Sequence, residues 1–552
     1  MEPLIRRVVD IHARRVFPAE VDIVDGRIQS VRPLDATTPV APGVLLPGFV
    51  DAHVHVESSM LPPAEFARVA VRHGTVATVS DPHEIANVLG EAGLDFMLEE
   101  AARACMPIHF GVPSCVPATG FETAGASLDS IAVARLLEAD RLGYLAEMMN
   151  WPGVLHEDPE VVAKIAAAKR LGKPIDGHAP GLRGEDAVRY AAAGITTDHE
   201  CFSLEEARDK AKAGMKILIR EGSAARNIDA IWPILAEFPH LAMFSTDDAH
   251  PDDLLKGHLD RVVARCVARG IDVFDVLRAA CLHPVEHYGL DVGLLREGDR
   301  ADFILVDDLV DFRVRRTWIA GDLVAEDGIC TVPGAAVATP NVFREARFEP
   351  TDFELEADRP STRVRVIEAE DGELVTGSSI ATLAAKDGRL EPDVAQDVLL
   401  ITVCNRYAPA PPAVAFVRGF GLRRGAIASS VAHDSHQVIA VGTSPSSVAE
   451  AVNAVFERRG GLVAIDGERT TALPLPIAGL MSDRPAEEVA AGYEAVSGIA
   501  RDLGSTLRAP FMTLSFMALL VIPSLKISDQ GLFDGEAFAF TPVRVPPSNG
   551  TT

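Results

Sequence analysis

The sequence predicts an α/β fold: a (β/α)8 TIM-like barrel, a small composite β-sandwich domain, and an additional α+β domain at the carboxyl end. Three observations predict it. Over residues 47–289, apolar strand-like runs alternate eight times with helix-like segments, the pattern of a barrel whose reactive groups gather at the carboxyl ends of its strands. Histidines and carboxylates stand at those ends. Two β-rich pieces, 1–46 and 290–340, flank the stretch and read as one small domain built from both sides of it. An open doubly wound sheet is the alternative, but it does not naturally bring the ends of strands one, four, five, six and eight to one centre.

Taken in order, VDIVDGRIQSV alternates around an Asp25-Gly26 turn, a hairpin signal. The apolar run Val44 to Val50 then leads into GFVDAHVHVESSM, where His53 and His55 stand two apart, so a strand aims both rings to one face. PPAEFARVAVRH opens with proline at a helix entrance and spaces Phe66, Val69 and Ala70 along one face. GTVATVSDPHE follows, a second strand ending in Asp81, His83 and Glu84. A helix over 88–104 leads to PIHFGVPSCVP, and one over 129–141 leads to GYLAEMMN with Glu147 at a strand end. Helices over 159–171, 184–193, 204–213 and 227–238 separate KPIDGHAPG with His178, GITTDHECF with His199, MKILIREGS, and LAMFSTDDAHP with Asp247 and Asp248. Strands return in ADFILVDD and in RRTWIAGDLVAEDG, which breaks at Gly321 and at Asp327-Gly328. The stretch Pro340 to Pro360, rich in charge and proline, reads as a linker. Beyond it, 350–552 mixes strands such as VLLITVCNRY with helices such as SSVAEAVNAVFERRG.

Composition narrows the function. A formal net charge of −27 over 552 residues disfavours a nucleic-acid partner, which is normally met by a Lys/Arg-rich face. A small neutral or cationic substrate fits better. Seven scattered cysteines without a C-x-x-C pair resemble neither a disulfide framework nor a zinc ribbon, and point to a reducing cytoplasmic compartment. The charged amino terminus reads as no signal peptide, and the apolar run Pro510 to Leu525 is short for a membrane span and reads as buried core. H-x-E at His55 and Glu57 has no C-x-x-C after it, which sets aside the base-flipping zinc deaminases.

Imidazoles and carboxylates converging at strand ends are costly to bury unless a cation collects them. His53, His55, Glu147, His178, His199 and Asp247 make six candidate metal ligands, more than one tetrahedral site uses, so two divalent metal ions are favoured over one. Nitrogen and oxygen ligation without thiolate suits Mn2+, Fe2+ or Zn2+. His433 and His436, three apart in AHDSH, read as structural or interface residues.

DAHVHVESSM, VSDPHEIANVLG, AEMMNWPGV, DGHAPGL, TDHEC, REGSAARN and STDDAHPDDL resemble, within the amidohydrolase superfamily, the bacterial adenine deaminase family. The likeness continues through GFGLRRGAIASSVAHDSHQVIAVG and LPLPIAGLMSD in the third domain, and so covers nearly the full length. The resemblance implies a two-metal hydrolase that converts adenine and water to hypoxanthine and ammonia, a purine-salvage step. His53 and His55 are expected to hold one metal and His178 and His199 the other, with Glu147 bridging, Asp247 beside the nucleophile, and manganese or ferrous iron as the metal. Ala146 and Ser245 stand where the family usually has other residues, and neither replaces a proposed ligand.

In that chemistry Asp247 accepts a proton from water and delivers it to the leaving amine. His83 and Glu84 are candidates to protonate purine N1, against a reading in which they anchor a loop. Asp248 is expected at the purine edge, or else caps the following helix. Ser58, Ser59 and Glu221 are expected to line the pocket, or else to support its loops. A homodimer or higher homo-oligomer is the expected assembly. Two further classes stay open: hydrolysis of a cyclic amide or N-acetyl sugar on the same scaffold, and a non-catalytic barrel acting as an interaction platform.

Overall fold

The computed structural model describes residues 3–223, 226–467 and 469–546. The chain divides into two compact units. The first comprises the chain up to Pro82, Leu94–Ser114 and Leu128–Val337; the second comprises His83–Gly93, Cys115–Ser127 and the chain from Ala338 onward.

At the centre of the first unit are eight parallel strands: Phe49–Val54, Thr75–Ser80, Ile108–Phe110, Leu145–Met148, Ile175–Gly177, Thr197–Asp198, Lys216–Arg220 and Ala242–Ser245. They form where the apolar runs predict them, because buried parallel strands need apolar side chains on both faces. The ring is continued between the ladders by the Val112–Leu145 bridge and by the Thr196 N–H donating to Ile175 O at 2.9 Å. It closes between the eighth and first strands at the bridge from Asp247 to Val54. Ala52, Val79, Tyr144, Ala146, Leu218, Met243 and Tyr288 fill the barrel interior, so it is a packed core rather than a pore.

The helices between strands carry readable start and stop signals. Pro159–Leu171 has Pro159 in its first turn, Asp158 accepting from the Glu160 and Val161 N–H groups, and Gly172 ending it at φ 64°. Leu204–Lys212 is capped by Ser203, whose hydroxyl accepts from the Glu206 N–H. Two expected helices are broken. The one over 88–104 is replaced by His83–Leu89 and Glu91–Ala101, divided at Gly90, and the one over 227–238 by Ile228–Ile231 and Ile234–Glu237, divided at Trp232-Pro233.

The two flanking β-rich pieces join in one eight-stranded sheet. Its order runs Ile329–Cys330, Asp322–Glu326, Val314–Ile319, Phe303–Val306, Val44–Pro47, Leu4–Asp10, Arg15–Val24, Arg27–Pro33. Val44–Pro47 therefore pairs with strands from both sides of the barrel segment, and Val8, Val21, Ile28, Leu45, Phe303 and Trp318 share a buried core.

The second unit holds a nine-stranded sheet, among them Leu399–Cys404, Ala426–Ser429, Val438–Gly442 and Gly461–Asp466, packed against helix Pro445–Arg458. The stretch read as a linker is part of this core: Phe343, Phe348 and Phe353 are buried in it, so the charge and proline around them mark surface positions of a packed segment. Helix Pro510–Phe516 is buried along its whole length. Among the described residues no helix is long and apolar enough to cross a membrane.

Candidate metal centre

Six side chains from five strand ends meet inside the first unit. His53 is the penultimate residue of strand Phe49–Val54 and is fully buried, and His55 is the first residue past the end of that strand. The alternation does what the spacing predicts: the two Nε2 atoms stand 3.3 Å apart. His55 is oriented by its other nitrogen, Nδ1, 3.0 Å from the Asp81 carbonyl oxygen. Across the barrel, His178 Nδ1 and His199 Nε2 also stand 3.3 Å apart, and the His53 and His199 rings stack at 4.0 Å.

Glu147, from the fourth strand, lies between the two pairs. Its Oε1 is 3.3 Å from His55 Nε2, while its Oε2 is 2.9 Å from His178 Nδ1 and 3.2 Å from His199 Nε2. Asp247 Oδ1 stands 3.1 Å from His55 Nε2 and 3.6 Å from His53 Nε2. Asp247 itself adopts φ 53°, a left-handed conformation that costs a non-glycine residue free energy. The backbone over-determines it: the Asp247 N–H donates to His53 O at 2.9 Å, and the His55 N–H donates to Asp247 O at 3.2 Å.

The donor set fits cations. Imidazole nitrogens facing one another at hydrogen-bond distance, His53 Nε2 with His55 Nε2 and His178 Nδ1 with His199 Nε2, cannot all be satisfied by shared protons. Ligand atoms of His53, His55 and Asp247, of His53, Glu147 and His199, and of His178, His199 and Glu200 lie within 4.8 Å of one another in each group. These are nitrogen and oxygen donors without thiolate, the ligand chemistry of Mn, Fe and Zn. The electrostatics agree. Burial by itself would raise the Glu147 carboxyl, but His178, His199 and His55 outweigh it and hold Glu147 well below the usual carboxylate range. Burial depresses His53, with His199 adding to the effect. His199 is also buried, yet Glu147 and Asp247 raise it to about 9.

Two charged residues that sequence reasoning passed over complete the centre. Glu200 follows His199, its Oε1 3.8 Å from both His178 Nδ1 and His199 Nε2. Arg220, the last residue of the seventh strand, is 2% exposed and donates to both Glu200 and Asp247. A signal was present: an arginine terminating the apolar run MKILI at a strand end that belongs to the barrel mouth.

The supporting residues sort themselves. The Ser58 hydroxyl donates to Asp248. The Ser59 hydroxyl donates to Val56 O at 2.6 Å, within its own short 3-10 helix. Glu221 accepts from Arg265 at 2.7 Å and lines a cavity of about 260 Å³ with Ser223, Arg226, Thr246 and Arg261. Ala224 and Ala225 of the REGSAARN motif lie outside the described residues. A buried triad, Lys210 with Asp198 Oδ2 at 3.0 Å and Glu206 Oε1 at 2.8 Å, braces the loops behind the ligands, since Lys210 also donates to Ala179 O and Asp198 accepts from the Ala179 N–H.

His83 and Glu84 open helix His83–Leu89 and belong to the second unit. There His83 Nε2 is 3.7 Å from Asp434 Oδ1, and Glu84 stands 3.8 Å from His433 Nδ1 and 4.0 Å from His436 Nε2. The AHDSH histidines are thus packed against the pair that sequence reasoning singled out at the second strand.

Comparison with known proteins matches both parts of the chain. Residues 44–324 match the amidohydrolase family, and residues 373–539 match the adenine deaminase C-terminal domain. The chain is 56% identical to an adenine deaminase of Salinibacter ruber over 97% of each chain. It is 53% identical to one of a Sulfurovum species, over 96% of this chain and 98% of that one, and 51% identical to one of Methanosarcina barkeri, over 97% and 98%. A barrel whose strand ends converge on this donor set, together with identity of this extent and coverage, places the chain in the adenine deaminase family of the amidohydrolases.

Proposed function

We propose that this protein deaminates free adenine hydrolytically, adenine plus water giving hypoxanthine plus ammonia, at a pair of divalent cations. The observation that carries the reading is the division of Glu147, one oxygen toward His55 and the other toward His178 and His199. A carboxylate so divided would be shared by both cations. His53 and His55 would hold one cation and His178 and His199 the other, with Mn2+ or Fe2+ as the favoured ions and Zn2+ as the third candidate. When bound, the cations supply Lewis acidity that brings the ionisation of water toward neutral pH.

The chain's own residues then do the proton work. Asp247 Oδ1 faces the imidazole pair, where it accepts a proton from the attacking water and returns it to the amine leaving C6. Ser58 donates to Asp248, which orients that carboxylate to accept from a purine ring N–H. A polar contact of this kind discriminates strongly, because an analogue lacking the partner leaves a buried group unmatched. The product is a free base returned to purine salvage in the cytoplasm, and the working assembly is a homodimer or higher homo-oligomer.

The test is anaerobic reconstitution with Mn2+ followed by a panel of purines assayed for ammonia. Adenine is expected to be the best substrate, and Glu147→Gln to lower kcat by about 10²-fold or more. Full activity in that variant removes the bridging role.

A further inference from the structure

Arg220 is an unexpected charge for its position. It sits at the carboxyl end of the seventh barrel strand, buried beside a cluster that collects cations, where like charges repel. Two carboxylates account for it. Nη1 donates to Asp247 Oδ2 and to Glu200 Oε1, and Nη2 donates to Glu200 Oε2 at 3.1 Å. Glu200, Arg220 and Asp247 thus form a buried row across the ends of strands six, seven and eight.

The row divides the two oxygens of Asp247. Oδ2 is taken by the guanidinium, while Oδ1 faces His55 Nε2 at 3.1 Å and His53 Nε2 at 3.6 Å. The planar fork of arginine suits this task better than an ammonium does, since its donors leave in fixed directions. Glu200 takes two of those donors, which fixes the guanidinium plane and offsets its charge. The backbone is held as well. Asn227 Oδ1 accepts from the Arg220 N–H at 2.8 Å, and Asn227 Nδ2 donates to His199 O at 3.1 Å, so strand seven and the His199 loop share one brace.

We propose that Arg220, with Glu200 as its counter-ion, is a positioning residue for the deamination: by holding Oδ2 of Asp247 it reserves Oδ1 for the reacting water and amine. The inference rests on the deaminase reading above. It acts through Asp247 alone and requires no contact between Arg220 and the purine.

Arg220→Met, Arg220→Lys and the charge-neutral double variant Arg220→Met with Glu200→Leu are loaded with metal and compared with the unaltered protein. Metal content, thermal unfolding, steady-state deamination of adenine and, after loading with Co2+, the visible d–d spectrum are measured. Arg220→Met is expected to lower kcat on the order of 10²-fold while KM moves by less than about threefold, with metal content retained. Arg220→Lys restores only part of the rate, because it returns the charge without the fork. The Co2+ bands change in Arg220→Met as they do in Asp247→Ala. If Arg220→Met does not fold, the double variant, which removes Glu200 together with its cation and leaves only Asp247 Oδ2 unmatched, folds and stays slow. Overturning results are a kcat within twofold of the unaltered protein with an unchanged Co2+ spectrum, or a double variant in which fold and rate return together, the signature of a purely structural ion pair. Absence of ammonia from adenine with the unaltered protein sinks the deaminase reading instead, and the Co2+ spectra still decide whether Arg220 sets the geometry of Asp247.

Discussion

Four buried imidazoles around one carboxylate make a site whose protonation and metal content are linked. His199 is raised to about 9 by Glu147 and Asp247 against the pull of burial, so below that pH the cation-free cluster carries a proton where the proposed second cation would coordinate. Metal loading therefore releases protons. Apparent affinity for Mn2+, followed by competition with a chelator, is expected to rise with pH and to level off near 9; a flat profile between about 6 and 9 contradicts the linkage. Glu147→Gln removes the main partner that raises His199 and shifts the levelling point downward. Asp247→Asn keeps the shape of the side chain but loses its basicity, and kcat is expected to fall by about 10²- to 10⁴-fold, the usual range for a positioned acid-base group. The conformation of Asp247 at φ 53° is part of this arrangement, since barrel closure and the orientation of the carboxylate are set by the same two backbone hydrogen bonds to the first strand.

At the scale of elements, the close fit of strands and the bracing of loops decide how rigidly the ligands are held. Gly48 precedes the first barrel strand with no room for a side chain: a Cβ there would meet the Val76 methyls at 2.1 and 2.5 Å. Valine cannot swing away, because its χ1 is restricted. Gly48→Ala is expected to destabilise by about 1–3 kcal/mol, and Val76→Ala in the same chain to recover much of that; thermal unfolding of the two variants checks it. The Lys210 triad is fully buried, so Lys210→Met leaves Asp198 and Glu206 without their cation at a cost of about 3–5 kcal/mol. The same variant is expected to loosen metal retention, because the carbonyl of Ala179, next to His178, loses the Lys210 ammonium and is left tied to the triad only through its N–H to Asp198. Element boundaries were partly legible. Helix Pro159–Leu171 matches its expected range because proline at the entrance and glycine at the exit are local signals. The two broken helices also had local signals, Gly90 and Pro233, but apolar spacing continued across both and outweighed them.

Across the whole molecule, the second unit carries a pH dependence of its own. Burial and the nearby Asp434 raise Glu122 to about 8, with Thr119 donating to it from both its N–H and its hydroxyl. A carboxyl raised on folding stabilises fully below its ordinary value near 4.5, and that stability is lost as the pH climbs through about 8. Calorimetry between pH 5 and 8 is expected to show the unfolding transition of this unit losing on the order of 3 kcal/mol, and Glu122→Gln to flatten the slope. A retained slope in that variant assigns the dependence elsewhere. Read by itself, the sequence determined the eight strands, the composite origin of the small sheet and the six metal-ligand candidates, because strand period, turn residues and the polar ends of apolar runs are written in consecutive positions. Only the tertiary structure decided that Arg220 and Glu200 belong beside Asp247, that Glu147 presents a different oxygen to each histidine pair, and that His83 and Glu84 pack with His433, Asp434 and His436. The reason is physical. A charged side chain at a strand end looks the same in sequence whether it faces water or a buried counter-ion, and the partners that settle the question come from strands tens to hundreds of residues away.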